Sequence, residues 1–283
     1  MRRRQFLGSG AVAAAAAGLV QAPTQAVEDP SPLKPPRLKP GDSLGIISPA
    51  GATFRQEELD IVVDAVRGLG LVPRVAPHAL SRYGYLAGTD EERAADVNTF
   101  FADSTIKALM PIRGDWGSAR ILPYLDYALI RQNPKIVVGF SDITALLLGI
   151  HAQTGLVTFH GPHGLTAWRS DQTQPFRQLL FDGTTQRFEN PRLGEDADRL
   201  MQTRGRIQTI TPGQATGKLL GGNLSVISGI VGSPYMPDTA GVVLFLEDVG
   251  ESPYRIDRML TQLRLAGIFD TLAGFIFGQC PSC

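Results

Sequence analysis

The sequence predicts an α/β fold: a mostly parallel sheet domain with helices on both faces, followed by a second, smaller α/β domain. Short apolar runs alternate with helical patterns from about residue 44 onward, and this alternation is typical of parallel sheets. A polar stretch at 166–213 divides the alternation into two blocks. We therefore expect an N-terminal domain over 41–165, a connector over 166–213 and a C-terminal domain over 214–283.

The elements of the first domain follow from hydrophobic periodicity. Apolar runs predict strands at 44–48, 72–76, 106–112, 135–140 and 156–159. A helix is expected over 59–69, where Gly70 ends it. Thr89 and Glu92 are spaced as a capping box, which predicts the start of the next helix. Further helices are expected from Ser118 onward and over 143–152.

The second domain repeats the alternation in a shorter form. Strands are predicted at 216–220, 242–246 and 274–278, with a helix of small residues to 230 and a helical apolar stripe over 256–263. The last strand is followed by five residues. We expect this domain to be incomplete, because no element follows to cover that strand.

The first 26 residues have the layout of a secretory signal. A basic start precedes an Ala-rich apolar run and small residues that end at Ala26. Arg3 and Arg4, followed by Gln5-Phe6-Leu7, resemble a twin-arginine signal, with an ordinary secretion signal as the alternative. The run is too short to span a bilayer. We expect an exported, periplasmic protein without a stable membrane anchor, whose residues 27–40 form a Pro-rich leader.

Composition excludes some classes of partner. Lys and Arg total 27, as do Asp and Glu, so no charge excess favours nucleic acid or an anionic membrane. The two cysteines, Cys280 and Cys283, form a C-x-x-C pair at the end of the chain. Redox motifs of this kind begin a helix in a thioredoxin-like unit, so we expect neither a redox role nor a metal site, and no cofactor.

Ser118 is the candidate nucleophile. It follows a Gly-rich turn between a predicted strand and a predicted helix, where a sharp turn can lift Oγ clear of the sheet. Gly114 and Gly117 permit positive φ in that turn. Backbone N–H groups around Asp115 and Ala119 are candidate oxyanion donors. The alternative is a serine that caps an ordinary helix.

Glu247 is the candidate carboxylate. It ends an apolar strand and precedes further charged residues, Asp248 and Glu251 among them. A carboxylate at a strand end can orient a catalytic histidine. The alternative is a network of surface ion pairs, which are common and contribute little.

Several motifs in order resemble the LD-carboxypeptidase and microcin-immunity family of serine peptidases. The resemblance covers about 39 to 279. The motifs are RGDWGSARILPYLD at 113–126, NPK at 133–135, GFSDIT at 139–144, FHGP at 159–162, GGNL at 221–224, LEDVGE at 246–251 and PYRIDR at 253–258.

The resemblance implies a Ser-His-Glu triad with Ser118 as nucleophile and Glu247 as carboxylate. It also implies a site between two α/β domains, no metal, and a homodimer. The implied reaction is release of the terminal D-alanine from a peptidoglycan-derived peptide. Two alternatives remain: hydrolysis of another peptide conjugate, as in the microcin-immunity relatives, and a catalytically inert peptide-binding protein.

Three features depart from the family pattern. The resemblance implies that the triad histidine lies downstream of Glu247, in a stretch that this chain does not contain. Asp115 stands where a glycine is usual, and an export signal is unusual because the best-known murein-recycling members act in the cytoplasm. Of the histidines present, His160 lies in a motif that the family uses as a turn, and His151 is interpreted as a core residue.

Overall fold

The computed structural model describes residues 32–190, 200–202 and 206–283. The predicted signal peptide and the first residues of the leader lie outside this range. In the part of the chain that is described, no helix is both long and apolar enough to cross a membrane.

The first sheet has five strands, all parallel, in the order β2-β1-β3-β4-β5. The strands are β1 (Ser43–Ile47), β2 (Val72–Val75), β3 (Ile106–Pro111), β4 (Ile136–Gly139) and β5 (Phe159–His160). The strand predicted over 156–159 is wrong in its bounds. Leu156 pairs instead with Leu33 of the leader, which leaves a two-residue β5 beside β4.

Helices cover this sheet and bury their apolar sides in one core. They are α1 (Gln56–Gly68), α2 (Asp90–Ala102), α3 (Tyr127–Gln132) and α4 (Thr144–Thr154). The predicted capping box is confirmed, since Thr89 Oγ1 accepts from Glu92 N and Glu92 Oε2 accepts from Thr89 N. The helix expected from Ser118 is a short 3₁₀ helix, Ser118–Tyr124, with Pro123 inside it.

The predicted connector contains structure that sequence periodicity missed. Helix α5 (Ser170–Arg177) runs into a π-helical turn, Gln178–Asp182. Phe176 and Leu180 bury their side chains in the core. Part of the connector therefore packs as an integral layer of the fold.

The second sheet has three parallel strands in the order β6-β7-β8. They are β6 (Lys218–Asn223), β7 (Val242–Glu247) and β8 (Gly274–Phe277), joined through α6 (Leu224–Ile230) and α7 (Pro253–Leu265). The fold class predicted from the sequence, a larger and a smaller parallel α/β sheet, is confirmed. After β8, Cys280 and Cys283 form a disulfide.

The two sheets meet at the start of α4. Asn223 N, at the end of β6, donates to Thr144 Oγ1 at 3.0 Å. The chain of Gly222 packs so closely here that a Cβ atom would lie 2.5 Å from the same oxygen. The carboxyl ends of β4 and β6 therefore lie together, and ligand chemistry in parallel sheets collects at such ends.

Candidate active site

Ser141 occupies a strained strand-to-helix turn. It follows β4 directly after Phe140 and begins a 3₁₀ turn, Ser141–Ile143, that continues into α4. Its φ is +62°, and among the described residues it is one of four non-glycine residues with positive φ. Such backbone conformations cost about 1–3 kcal/mol and cluster at functional sites. A strained serine between strand and helix is the geometry of a nucleophile elbow.

Ser118, in contrast, is a buried and hydrogen-bonded serine. Its side chain is fully buried, and its Oγ donates to the Asp142 carbonyl at 2.5 Å. The positive φ angles of its turn lie ahead of it, at Asp115 and Gly117. The expectation that this turn lifts Ser118 Oγ clear of the sheet is therefore wrong, because the hydroxyl is buried against Asp142 and already paired.

The sequence around Ser141 contains part of a nucleophile-elbow motif. Gly139-Phe140-Ser141 matches the first three positions of G-x-S-x-G between a predicted strand and a predicted helix. No catalytic role is predicted for Ser141 from the sequence. Glycine content favours the turn before Ser118, so the sequence alone does not decide which of the two turns is an elbow.

Gly114 packs directly against Ser141. A Cβ atom at Gly114 would lie 3.2 Å from Ser141 Oγ and 3.4 Å from Asp142 N. Within the described chain, neither the Gly114 N–H nor the Asp142 N–H donates a hydrogen bond. Two unpaired backbone donors therefore lie beside the Ser141 hydroxyl, which is the requirement for an oxyanion hole.

The other two residues predicted for this turn differ from Gly114. Asp115 has a φ of +71°, which explains why glycine is usual at this position, and its Oδ2 lies 2.7 Å from Arg113 Nε. Ala119 is exposed in the 3₁₀ helix. Their predicted part in the oxyanion hole stays a prediction.

Glu247 ends β7, paired in register with Asn223 of β6. Its Oε1 is buried without a hydrogen-bond partner among the described residues and lies 4.0 Å from His160 Nε2. Burial, and then the charge of Asp248, raise the pKa of Glu247, while a hydrogen bond from Asn223 lowers it. The structure thus brings a histidine to the predicted carboxylate.

Asp248, the neighbouring acid, has a structural role. Its buried carboxylate accepts hydrogen bonds from Asn223 Nδ2, Ser225 N and Val249 N, all at 2.9–3.0 Å. Adjacent residues on one strand point to opposite faces. Glu247 is therefore the acid that remains available for chemistry.

His160 links the two sheets at this edge. It pairs in register with Gly139, two residues before Ser141, and its ring meets the rings of Phe140 and Phe245 edge-on. Burial lowers the pKa of His160 to about 4, so the imidazole is neutral at neutral pH. His163 stacks on Phe140 with ring centroids 4.4 Å apart, and burial likewise lowers its pKa to about 4.

The remaining histidines have structural partners. His78 Nδ1 lies 2.8 Å from Asp96 Oδ1, and His151 Nδ1 lies 2.9 Å from the Leu156 carbonyl oxygen. The His151 ring is thus satisfied, but its side chain is only partly buried, so the interpretation of His151 as a core residue is wrong. Across the described ranges, no group of three His, Cys, Asp or Glu side chains is arranged to hold a metal ion.

Comparison with known proteins identifies the family. Residues 44–161 match the LD-carboxypeptidase N-terminal domain, and residues 216–283 match the LD-carboxypeptidase C-terminal domain. A probable murein peptide carboxypeptidase of Bacillus subtilis is 38% identical over 250 residues, which cover 88% of this chain and 76% of the relative. The murein tetrapeptide carboxypeptidase of Pseudomonas aeruginosa is 32% identical over 85% of this chain and 77% of its own length.

Similarity to solved structures supports the same family. The apo structure of the microcin C7 self-immunity protein MccF superposes with a TM-score of 0.75 at 28% identity, covering 89% of this chain and 82% of that one. The same protein has been solved in complex with aspartyl sulfamoyl adenosine, and that structure matches with a TM-score of 0.73. The chain therefore belongs to the LD-carboxypeptidase family and is a carboxypeptidase.

Proposed function

We propose that this protein is a serine-type L,D-carboxypeptidase that removes the terminal D-alanine from peptidoglycan peptides, with Ser141 as nucleophile. The observation that carries the proposal is the positive φ of Ser141, at the point where the Gly114 loop and the ends of both sheets converge. The murein peptide carboxypeptidases among its relatives support the substrate class.

The proposed chemistry is acyl transfer. Ser141 Oγ attacks the carbonyl carbon of the bond to D-alanine, and the oxyanion that forms accepts hydrogen bonds from the N–H groups of Gly114 and Asp142. The C–N bond then breaks, and D-alanine leaves with a proton on its amine. Water hydrolyses the acyl–serine ester, which restores the hydroxyl.

Glu247 supplies the carboxylate of the proposed triad. A serine hydroxyl is a weak nucleophile until a positioned base takes its proton, and a carboxylate behind an imidazole stabilises the imidazolium that results. The unpaired Glu247 Oε1 suits that task. The 4.0 Å separation from His160 is longer than a hydrogen bond, so this pair does not complete the triad in the geometry observed.

D-alanine release from a murein tetrapeptide tests the function. The matched control is the same peptide ending in L-alanine. We expect release from the D-alanine peptide alone. Equal release from both would exclude an L,D-specific enzyme, and binding without release would favour the inert peptide-binding alternative.

A second candidate is hydrolysis of a peptide–nucleotide conjugate. The likeness to MccF, solved with an aspartyl sulfamoyl nucleoside, favours it. Aspartyl sulfamoyl adenosine, with release of aspartate as the readout, separates the two candidates by their kcat/KM values. Faster turnover of the conjugate would replace the murein assignment.

We also propose export by the twin-arginine route, from the order Arg3-Arg4-Gln5-Phe6-Leu7. Replacing both arginines with lysine should leave an unprocessed precursor in the cytoplasm. Normal processing of that variant would contradict the route. The homodimer implied by the family stays a prediction, which sedimentation velocity tests.

A further inference from the structure

Ser118 and Asp142 are joined by two hydrogen bonds. The Ser118 N–H donates to Asp142 Oδ2 at 2.7 Å, and Ser118 Oγ donates to the Asp142 carbonyl. Both side chains are buried, so neither bond competes with solvent. Ser118 thus holds Asp142 at two points. Its N–H binds the Asp142 carboxylate, and its hydroxyl binds the Asp142 carbonyl.

Asp142 is the residue directly after the proposed nucleophile. With its side chain and its carbonyl both fixed, little rotation remains for its backbone, and its N–H keeps one direction. That N–H is an unpaired donor close to Gly114 and Ser141 Oγ. The two bonds from Ser118 therefore control where an oxyanion donor points.

The Ser118 side of this contact is itself held from behind. Arg93, which is fully buried, donates to the Gly117 carbonyl at 2.9 Å and also to the Pro49 carbonyl. Its guanidinium pairs with Asp90. Gly117 directly precedes Ser118, so a rigid charged group on α2 fixes the residue from which the contact to Asp142 is made.

We propose that Ser118 is a positioning residue that holds the Asp142 N–H in the oxyanion hole. The proposal rests on the proposed function, in which Ser141 is the nucleophile. An oxyanion donor acts on the transition state and not on the bound substrate. Loss of its alignment should therefore lower kcat and leave KM unchanged.

The test compares Ser118→Ala and Ser118→Thr with Thr154→Val. Thr154 is the matched control, because its buried hydroxyl also donates to a backbone carbonyl, that of Ile150, but at the far end of α4. Misplacement of a catalytic group by about 1 Å costs on the order of 10²-fold in rate. We expect Ser118→Ala to lower kcat by about 10- to 100-fold, Ser118→Thr to restore most of it, and Thr154→Val to change neither constant.

Two results would overturn the positioning role. One is a kcat for Ser118→Ala equal to that of Thr154→Val. The other is a loss that the threonine variant does not restore while its thermal melt matches the parent.

A fluorophosphonate probe separates this proposal from the function on which it rests. We expect the probe to attach to Ser141 in the parent, and more slowly to Ser141 in Ser118→Ala. Attachment to Ser118 would overturn both proposals, and so would attachment to neither serine. Attachment to Ser141 at the same rate in parent and variant would overturn the positioning role alone.

Discussion

Two turns at the same edge of the first sheet each present a serine, and they use it in opposite ways. After β3, the positive φ angles fall on Asp115 and Gly117, and Ser118 begins a 3₁₀ helix with its hydroxyl buried. After β4, the positive φ falls on Ser141 itself. The residue that takes the strained conformation differs between the turns, and with it the direction of the hydroxyl.

Their surroundings differ in the same sense. Behind Ser118 lies a charged group, in which Asp90 pairs with both Arg93 and Arg120. The hydrogen bond and charge of Arg120 lower the pKa of Asp90. Next to Ser141 in the chain is Phe140, whose ring contacts the neutral rings of His160 and His163. Ion pairs stabilise the surroundings of the first turn, whereas the second turn places Ser141 next to a group of aromatic side chains.

The largest expected effect is that of Ser141→Ala. Loss of the nucleophile should lower kcat for D-alanine release by about 10⁴- to 10⁶-fold, because single triad members cost that much in other serine hydrolases. The thermal melt should match the parent or rise, because alanine keeps the turn with one polar atom fewer. Retention of a tenth of the activity would contradict Ser141 as the nucleophile and would favour Ser118, in the turn after β3.

Glu247→Gln should follow, with a loss of about 10³- to 10⁴-fold in kcat. The amide keeps the shape but cannot stabilise an imidazolium, and the comparable change elsewhere costs about 10⁴-fold. Asp257→Asn, an exposed acid on α7, is the control. A loss below tenfold would assign Glu247 to the surface ion pairs considered from the sequence.

Gly114→Ala tests the contact between the two turns. The added Cβ would lie 3.1–3.2 Å from the Ser141 side chain, which is tight enough to displace the hydroxyl or its donor. Removal of one oxyanion donor costs about 10²- to 10³-fold, and we expect a kcat loss of that order. Gly68→Ala, where a Cβ meets nothing within 4 Å, should leave activity unchanged. Equal activities for both variants would remove Gly114 from the site.

His160→Gln should lower kcat by less than about 10²-fold, the lower bound for loss of a general base. The reason is its 4.0 Å distance from Glu247. The control is His78→Gln, which removes the contact between the His78 imidazole and Asp96. A loss as large as that of Ser141→Ala would instead make His160 the base.

The smallest effect concerns acid stability near the Ser141 turn. The folded pKa of His160 and of His163 is about 4, and that of an unfolded histidine is about 6.5. Between these values the unfolded chain binds more protons, so both residues make stability fall as pH drops from 6.5 to 4. Buried Asp142 and half-buried Glu247, whose pKa values are raised, act in the opposite sense.

Thermal melts of the parent and of a His160→Gln/His163→Gln variant isolate the imidazoles. The variant should lose less stability than the parent over that pH window. Parallel pH dependences would show that the pKa values of the two imidazoles are not lowered in the folded protein.

The features that could be predicted are those set by residues close together in the sequence. The capping box at Thr89 and the parallel alternation are set by side chains three or two positions apart, and both are confirmed. The positive φ of Ser141 could not be predicted, because a φ angle leaves no mark on composition and only the G-x-S order at 139–141 points to an elbow there. Glycines around Ser118 could signal flexibility for any purpose. Ser141 adopts its positive φ without being a glycine, and Gly114 packs beside it.

Helix α5 was missed for a related reason. Pro175 lies inside it, and Phe176 is its one buried residue; Leu180, which is also buried, lies in the π-helical turn that follows. A short helix held by tertiary packing has no periodic signal of its own. The Glu247–His160 proximity was equally hidden, because it joins strands of different sheets.

The hydrogen bond from Asn223 N to Thr144 Oγ1 has a consequence for how activity is gained. Glu247 is the register partner of Asn223, and Thr144 lies three residues after Ser141. The proposed nucleophile and the proposed carboxylate are therefore brought together by docking of the sheets rather than by either sheet alone. During refolding, the secondary structure of both sheets forms before the second sheet docks on the first. Regain of enzymatic activity would then report the docking step itself and should lag behind the recovery of circular dichroism.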